Sequence, residues 1–249
     1  MFNQMLRGSV SNWRRCWPDL VRVSSGWLLI GIACSLLVAA ASIKLLLFAA
    51  LLVHCGMASA VAVGWGRFIL LGEKVSVFRF GIQERDYAWK MVGLGLLAGL
   101  VLFGLFIFSL TTVNYVGGYS VNQAAFCAVV LFALGAPVFL RLSLVLPAAS
   151  IGEAFSIVDA WEVSAGLGLP MVALNAVFSF LLMTLSFLGI AIMAAFGVRP
   201  GHSLFVPLLT IVLEGAFVGL VLVHATTLSI AYGLAKQRWL QKRRNANAA

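Results

Sequence analysis

From Gly26 to about Leu71 the chain is apolar almost without a break, Lys44 being the one charge before Arg67. Such a run is too long for one crossing, because about 20 helical residues span the roughly 30 Å of hydrocarbon in a bilayer. It reads as two membrane-spanning helices joined by a very tight turn near Ser42 to Lys44. Four more runs of spanning length follow: Met91 to about Val113, Val121 to about Leu146 before Pro147, Leu169 to Phe196, and Leu204 to about Leu234. In lipid every backbone polar group must find its partner within the protein. The expected fold class is all-α, a polytopic membrane protein of about six transmembrane helices in one domain, residues 1–249.

Composition excludes the water-soluble alternative. Hydrophobic residues make up 62% of the chain and charged ones 10%, against about 45 to 50% and about 25% in soluble domains. A cleavable leader is a poor fit, since the first apolar run starts only at about Gly26, runs too long and lacks a small-residue cleavage site. Cys34, Cys55 and Cys127 lie inside apolar runs and Cys16 in a basic segment. No pairing framework and no C-x-x-C spacing is present, so they read as small buried hydrophobes.

The net charge of +9 points to membrane lipid rather than nucleic acid, because basic residues beside spans face the cytoplasm and its anionic lipids. Placing both termini inside puts fifteen of the seventeen Lys and Arg residues on the cytoplasmic side and leaves Lys44 and Arg199 outside. All seven tryptophans fall near that same face, while Tyr115 and Tyr119 mark the outer one. Residues 1–25 mix Arg14, Arg15 and Arg22 with Trp13, Trp17 and Leu20, a pattern suited to a helix lying among headgroups. Residues 236–249 form a basic C-terminal tail.

An internal echo organises what lies between the spans. Gly152-Glu153-Ala154-Phe155-Ser156-Ile157 matches Gly72-Glu73-Lys74-Val75-Ser76-Val77, and Gly8-Ser9-Val10-Ser11 resembles a degraded third copy. Ser156 followed by Asp159 has the form of a capping box, and Ser76 can cap likewise. The expectation is three hairpins, each preceded by a cytoplasmic amphipathic helix, with Ser76 and Ser156 as N-caps.

The segments Arg141-Leu-Ser-Leu-Val-Leu-Pro147, Gly152-Glu-Ala-Phe-Ser-Ile157, Ala160-Trp-Glu-Val-Ser-Ala-Gly166 and Trp65-Gly-Arg-Phe-Ile-Leu-Leu-Gly-Glu73 resemble the bacterial membrane proteins related to the glycerophosphoryl diester phosphodiesterase membrane domain. The resemblance covers most of the chain and implies a six-helix inner-membrane protein of a bacterium. It does not imply phosphodiesterase activity, which belongs to a separate soluble barrel. Where relatives tend to carry basic residues after the Ala-Trp pair, this chain has Glu162 and Ala165.

No Walker loop, HExxH, GxSxG elbow, EF-hand loop or Cys/His cluster occurs, so neither a metal nor a cofactor is expected. Gly93-Leu-Gly95-Leu-Leu-Ala98 lies inside a span and is no dinucleotide loop. Gly95 with Gly99, and Gly215 with Gly219, have the spacing of small-residue helix contacts. Ionisable groups within spans are costly unless partnered, and so mark candidate sites. Glu214 and His54, counted from the outer ends of their helices, come to similar depths and form a possible functional pair. Arg67, Arg141, Arg14 and Arg15 are candidate lipid-headgroup contacts. The function expected is that of a non-enzymatic accessory, scaffold or lipid-associated component, with anionic lipids and a protein partner or second copy as partners. The alternative is a small transporter or channel using Glu214 and His54.

Overall fold

A computed structural model describes residues 2–41, 44–74, 81–116, 121–198, 200 and 202–248. Ser76, one of the two expected caps, lies outside these residues, as does the side chain of Arg15. The described residues form helices α1 (Phe2–Arg15), α2 (Trp17–Ala41), α3 (Lys44–Leu71), α4 (Ile82–Val116), α5 (Val121–Leu142), α6 (Val145–Ser150), α7 (Ile157–Val163), α8 (Gly168–Ala195) and α9 (Phe205–Ala248). Among them, six stretches are long and apolar enough to cross a membrane.

Helix ends differ from expectation where the local chemistry favours continuation. α2 begins at Trp17 rather than near Gly26, because Pro18 is tolerated in a first turn that also holds Asp19. Between Ile82 and Met91 there is no glycine or proline, and Lys90 Nζ bonds Asp86 Oδ2 at 2.9 Å one turn back. Residues 82–90 are therefore the first turns of the spanning helix α4, not a separate amphipathic helix. Nor does Pro147 end the fourth span. The break falls at Ser143 and Leu144, and Pro147 sits in the first turn of α6, where an amide would have no helical partner. α9 runs on through the basic tail, since the stretch after Gly233 is made of helix formers.

The core lies where α3, α6 and α9 meet. Trp65, Leu144, Leu228 and Tyr232 are almost wholly buried there, with Met5 from α1 and Leu167, Met171 and Leu174 from around the start of α8. By contrast, α4 buries none of its apolar window inside the protein, leaving Leu96, Leu100 and Phe103 outward. Such a surface suits hydrocarbon.

The glycine spacings act differently from expectation. A Cβ on Gly95, Gly99 or Gly215 would meet open space, and of the four only Gly219 packs closely, against Leu182 of α8. Among the described glycines the tightest backbone approach is at Gly168, where a Cβ would stand 2.8 Å from the Pro137 carbonyl oxygen, so α8 can cross α5 only because no side chain is there.

Candidate functional site

At one end of the bundle the connecting segments are fastened by polar side chains. The echo's two glycines, Gly72 and Gly152, both take positive φ (68° and 73°) just past the ends of α3 and α6. This is the left-handed conformation with which glycine terminates a helix. Each is followed by a glutamate that turns back to a cation. Glu73 receives both Nε and Nη2 of Arg67, a forked pair, while Nη1 of Arg67 reaches Gln83 Oε1 (2.5 Å) and the Ser150 carbonyl (3.2 Å). Glu153 accepts from Lys236 Nζ and from Tyr232 Oη (2.6 Å). Burial pushes the Glu153 carboxyl up, but these two hydrogen bonds and the Lys236 charge outweigh it and hold it below the ordinary carboxylate range.

Ser156 is the N-cap of α7. Its hydroxyl accepts the Asp159 amide at 3.0 Å, and Asp159 Oδ2 accepts the Ser156 amide at 3.1 Å, a complete capping box. Arg141 lies over the Trp161 ring, 3.7 Å from its centre, and donates to Ser164 Oγ (2.9 Å) and the Trp161 carbonyl. Arg67 and Arg141 are thus both engaged by protein acceptors, Arg67 through four hydrogen bonds and Arg141 through two. Arg14 is exposed. It lines an open, largely apolar cleft of about 600 Å³ with Val10, Trp13, Trp17 and Phe178.

Toward the other end the structure brings Glu214 and His54 together. His54 Nε2 lies 2.9 Å from Glu214 Oε1, and Ser35 Oγ donates to the same oxygen at 2.5 Å. Counted at 1.5 Å per residue, His54 is roughly 15 Å from the start of α3 and Glu214 roughly 13 Å from the start of α9. His54 Nδ1 is 2.7 Å from the Ala50 carbonyl, which fixes the ring, and Phe217 meets it edge-on at 5.6 Å between centroids. Glu214 is 6% exposed, and its Oε2 is buried without a hydrogen-bond partner. That oxygen rests on Gly31, where a Cβ would stand only 2.7 Å away.

Three helices, α2, α3 and α9, therefore converge on one carboxylate. The arrangement is not that of a hydrolytic triad, because both hydroxyl and imidazole address the carboxylate and neither activates the other. Among the described residues no group of three or more His, Cys, Asp and Glu side chains is placed to hold a metal ion. Ser35 and Gly31 escaped sequence reasoning, for a serine and a glycine in an apolar helix carry no signal until their neighbours are known. Comparison with family models, with curated proteins and with solved structures finds no match for this chain.

Proposed function

We propose that this chain is a non-enzymatic protein of a bacterial inner membrane, a lipid-associated scaffold or accessory component. In this reading its spans form three hairpins with both termini in the cytoplasm, and the resemblance to the phosphodiesterase-related membrane domains belongs to the same proposal. The observation that carries it is the cleft at the junction of α1 and α2. There an exposed guanidinium, Arg14, stands beside two tryptophans and Phe178 of α8. Trp13 is held in place by its hydrogen bond to Thr226 (3.1 Å) and its stacking on Phe178, 5.4 Å between centroids. An apolar groove rimmed by a cation at a headgroup-level helix suits an anionic phospholipid, its chain on the rings and its phosphate at Arg14.

Native mass spectrometry of the detergent-solubilised protein with phosphatidylglycerol or phosphatidylcholine tests this. A cation near an anionic headgroup contributes about 1 kcal/mol, so Arg14→Gln should weaken phosphatidylglycerol retention about fivefold and leave phosphatidylcholine unchanged. Equal retention of both lipids by the unaltered protein, with no effect of the substitution, would overturn the reading.

A further inference from the structure

The hydrogen bonds around His54 fix how many protons the Glu214 cluster holds. The Ala50 carbonyl can only accept, so the Nδ1 atom 2.7 Å from it carries a proton. Between Nε2 and Glu214 Oε1, 2.9 Å apart, one further proton is shared. It sits either on the imidazole, opposite a carboxylate, or on the carboxyl, opposite a neutral imidazole. Both forms leave the pair with no net charge, the state that hydrocarbon tolerates at least cost.

Loss of that shared proton leaves a net negative charge. Ser35 remains as a donor to Oε1, but Oε2 is buried against the bare Cα of Gly31 without a hydrogen-bond partner. Elsewhere on the packed helices the ionisable groups are remote. Asp19 and Arg22 lie near the far end of α2, Arg67 near the far end of α3, and His224 nearly three turns along α9. α8, packed on α9, carries no Asp, Glu, Lys, Arg or His. The ionisable residues of α1, and those of α4 from Glu84 to Lys90, belong to the opposite end. Lys44 starts α3, ten residues before His54, and the thiols of Cys34 and Cys55 adjoin Ser35 and His54 in sequence.

We propose that Ser35, His54 and Glu214 form an intramembrane proton-binding site that keeps its labile proton while α2 is closed on α9 and releases it only when their separation admits water to Oε2. The step moves one proton, shared by Nε2 of His54 and Oε1 of Glu214, to water and breaks no other covalent bond. This goes beyond the scaffold reading and does not depend on it.

An apolar carbodiimide reacts with a carboxyl in its protonated form, and the adduct is located by peptide mass spectrometry. In liposomes, modification of Glu214 should be present at about pH 5 and fall about tenfold per pH unit once past its midpoint, as the loss of one proton requires. His54→Gln keeps a polar side chain but removes the second holder of the proton, so the pH profile of Glu214 modification should differ from that of the unaltered protein. Modification that stays constant from about pH 5 to about pH 9 in the unaltered protein would show a proton that is never released, and would overturn the proposal. So would absence of modification in both proteins, because a site that opens to water must also admit the reagent. Identical pH profiles for the two proteins would remove His54 from the site and overturn the proposal in that form.

Discussion

Thr226 of α9 is the hub on which two tryptophans converge, and replacing it by valine is the sharpest test of how the core is held. Its Oγ1 accepts from Trp65 Nε1 at 2.7 Å and from Trp13 Nε1 at 3.1 Å, and donates to the Leu222 carbonyl at 2.7 Å. One donor and two acceptor sites are all a hydroxyl has, so the group is saturated. Thr226→Val keeps the branched shape and removes both acceptors. Trp65 is 0% exposed, so its orphaned N–H has no water to turn to and should cost about 1 to 3 kcal/mol. Trp13 is half-buried, and its loss should be nearer the roughly 0.6 kcal/mol typical of hydrogen bonds between membrane helices. The extra methyl buried returns part of this, about 0.8 kcal/mol at most. The expected net loss is about 2 kcal/mol, read as the unfolding free energy in mixed micelles from tryptophan fluorescence. Thr226→Ser, which keeps the hydroxyl, should cost clearly less. A valine variant within about 0.5 kcal/mol of the parent, or a serine variant equally damaged, would refute the argument that the hydroxyl and not the packing holds the two indoles.

Ser156→Ala removes the cap of α7 and should destabilise by about 1 kcal/mol, with amide exchange in residues 157–163 rising before that of the spans. Glu153 has a folded-state affinity for protons below the ordinary one, so its contribution is complete above the unfolded carboxylate pKa of about 4.3 and is lost as pH falls through the depressed folded value. A stability-versus-pH curve for Glu153→Gln should therefore lack part of the acid limb, and an unchanged acid limb would show that Lys236 and Tyr232 do not hold the carboxylate. The proposed orientation predicts that an impermeant thiol reagent added outside cells labels cysteines placed at Val116 or Ser203 but not one at Ser156. The reverse pattern would invert the topology.

The spans were legible because each apolar run exceeds what a soluble helix needs. α8, expected over 169–196 and found over Gly168–Ala195, shows how well hydropathy alone locates such a helix. The helix ends were less legible, since Pro147 is a breaker only in mid-helix and a first-turn proline looks the same in sequence. The echo was visible, but its meaning was half missed. Ser156 caps the following helix, while the repeated spacing also serves Gly72 and Gly152, whose positive φ ends the preceding one. A glycine just after the last apolar residue is the signal that was there to be used. Glu214 and His54 could be matched by depth along their helices. That Arg67 turns to Glu73, Gln83 and Ser150 depends on tertiary contacts that no local pattern encodes.

The two ends of the bundle are held by different forces, and this bears on which helix can move. In lipid, apolar side chains gain little by leaving hydrocarbon for one another, so helix association rests on close packing and polar contacts. At the end where α3, α6, α7 and α9 meet, Arg67, Arg141 and Glu153 each bind two or more protein groups. Pulling any helix away there strands several charges at once. Toward the other end α2 meets α9 through the Ser35 hydroxyl and the bare Cα of Gly31, against a carboxylate with one oxygen unsatisfied. A charge appearing on that carboxylate acts on the contact with the fewest polar partners to lose. Gly31→Ala is informative for this reason: its Cβ would press on Oε2 from α2, and Glu214 can yield only by giving up Ser35 or His54. If the site works as a proton-linked latch, this substitution should loosen α2, so that amide exchange around Gly31 and Ser35 rises while the fastened end keeps its amide protection.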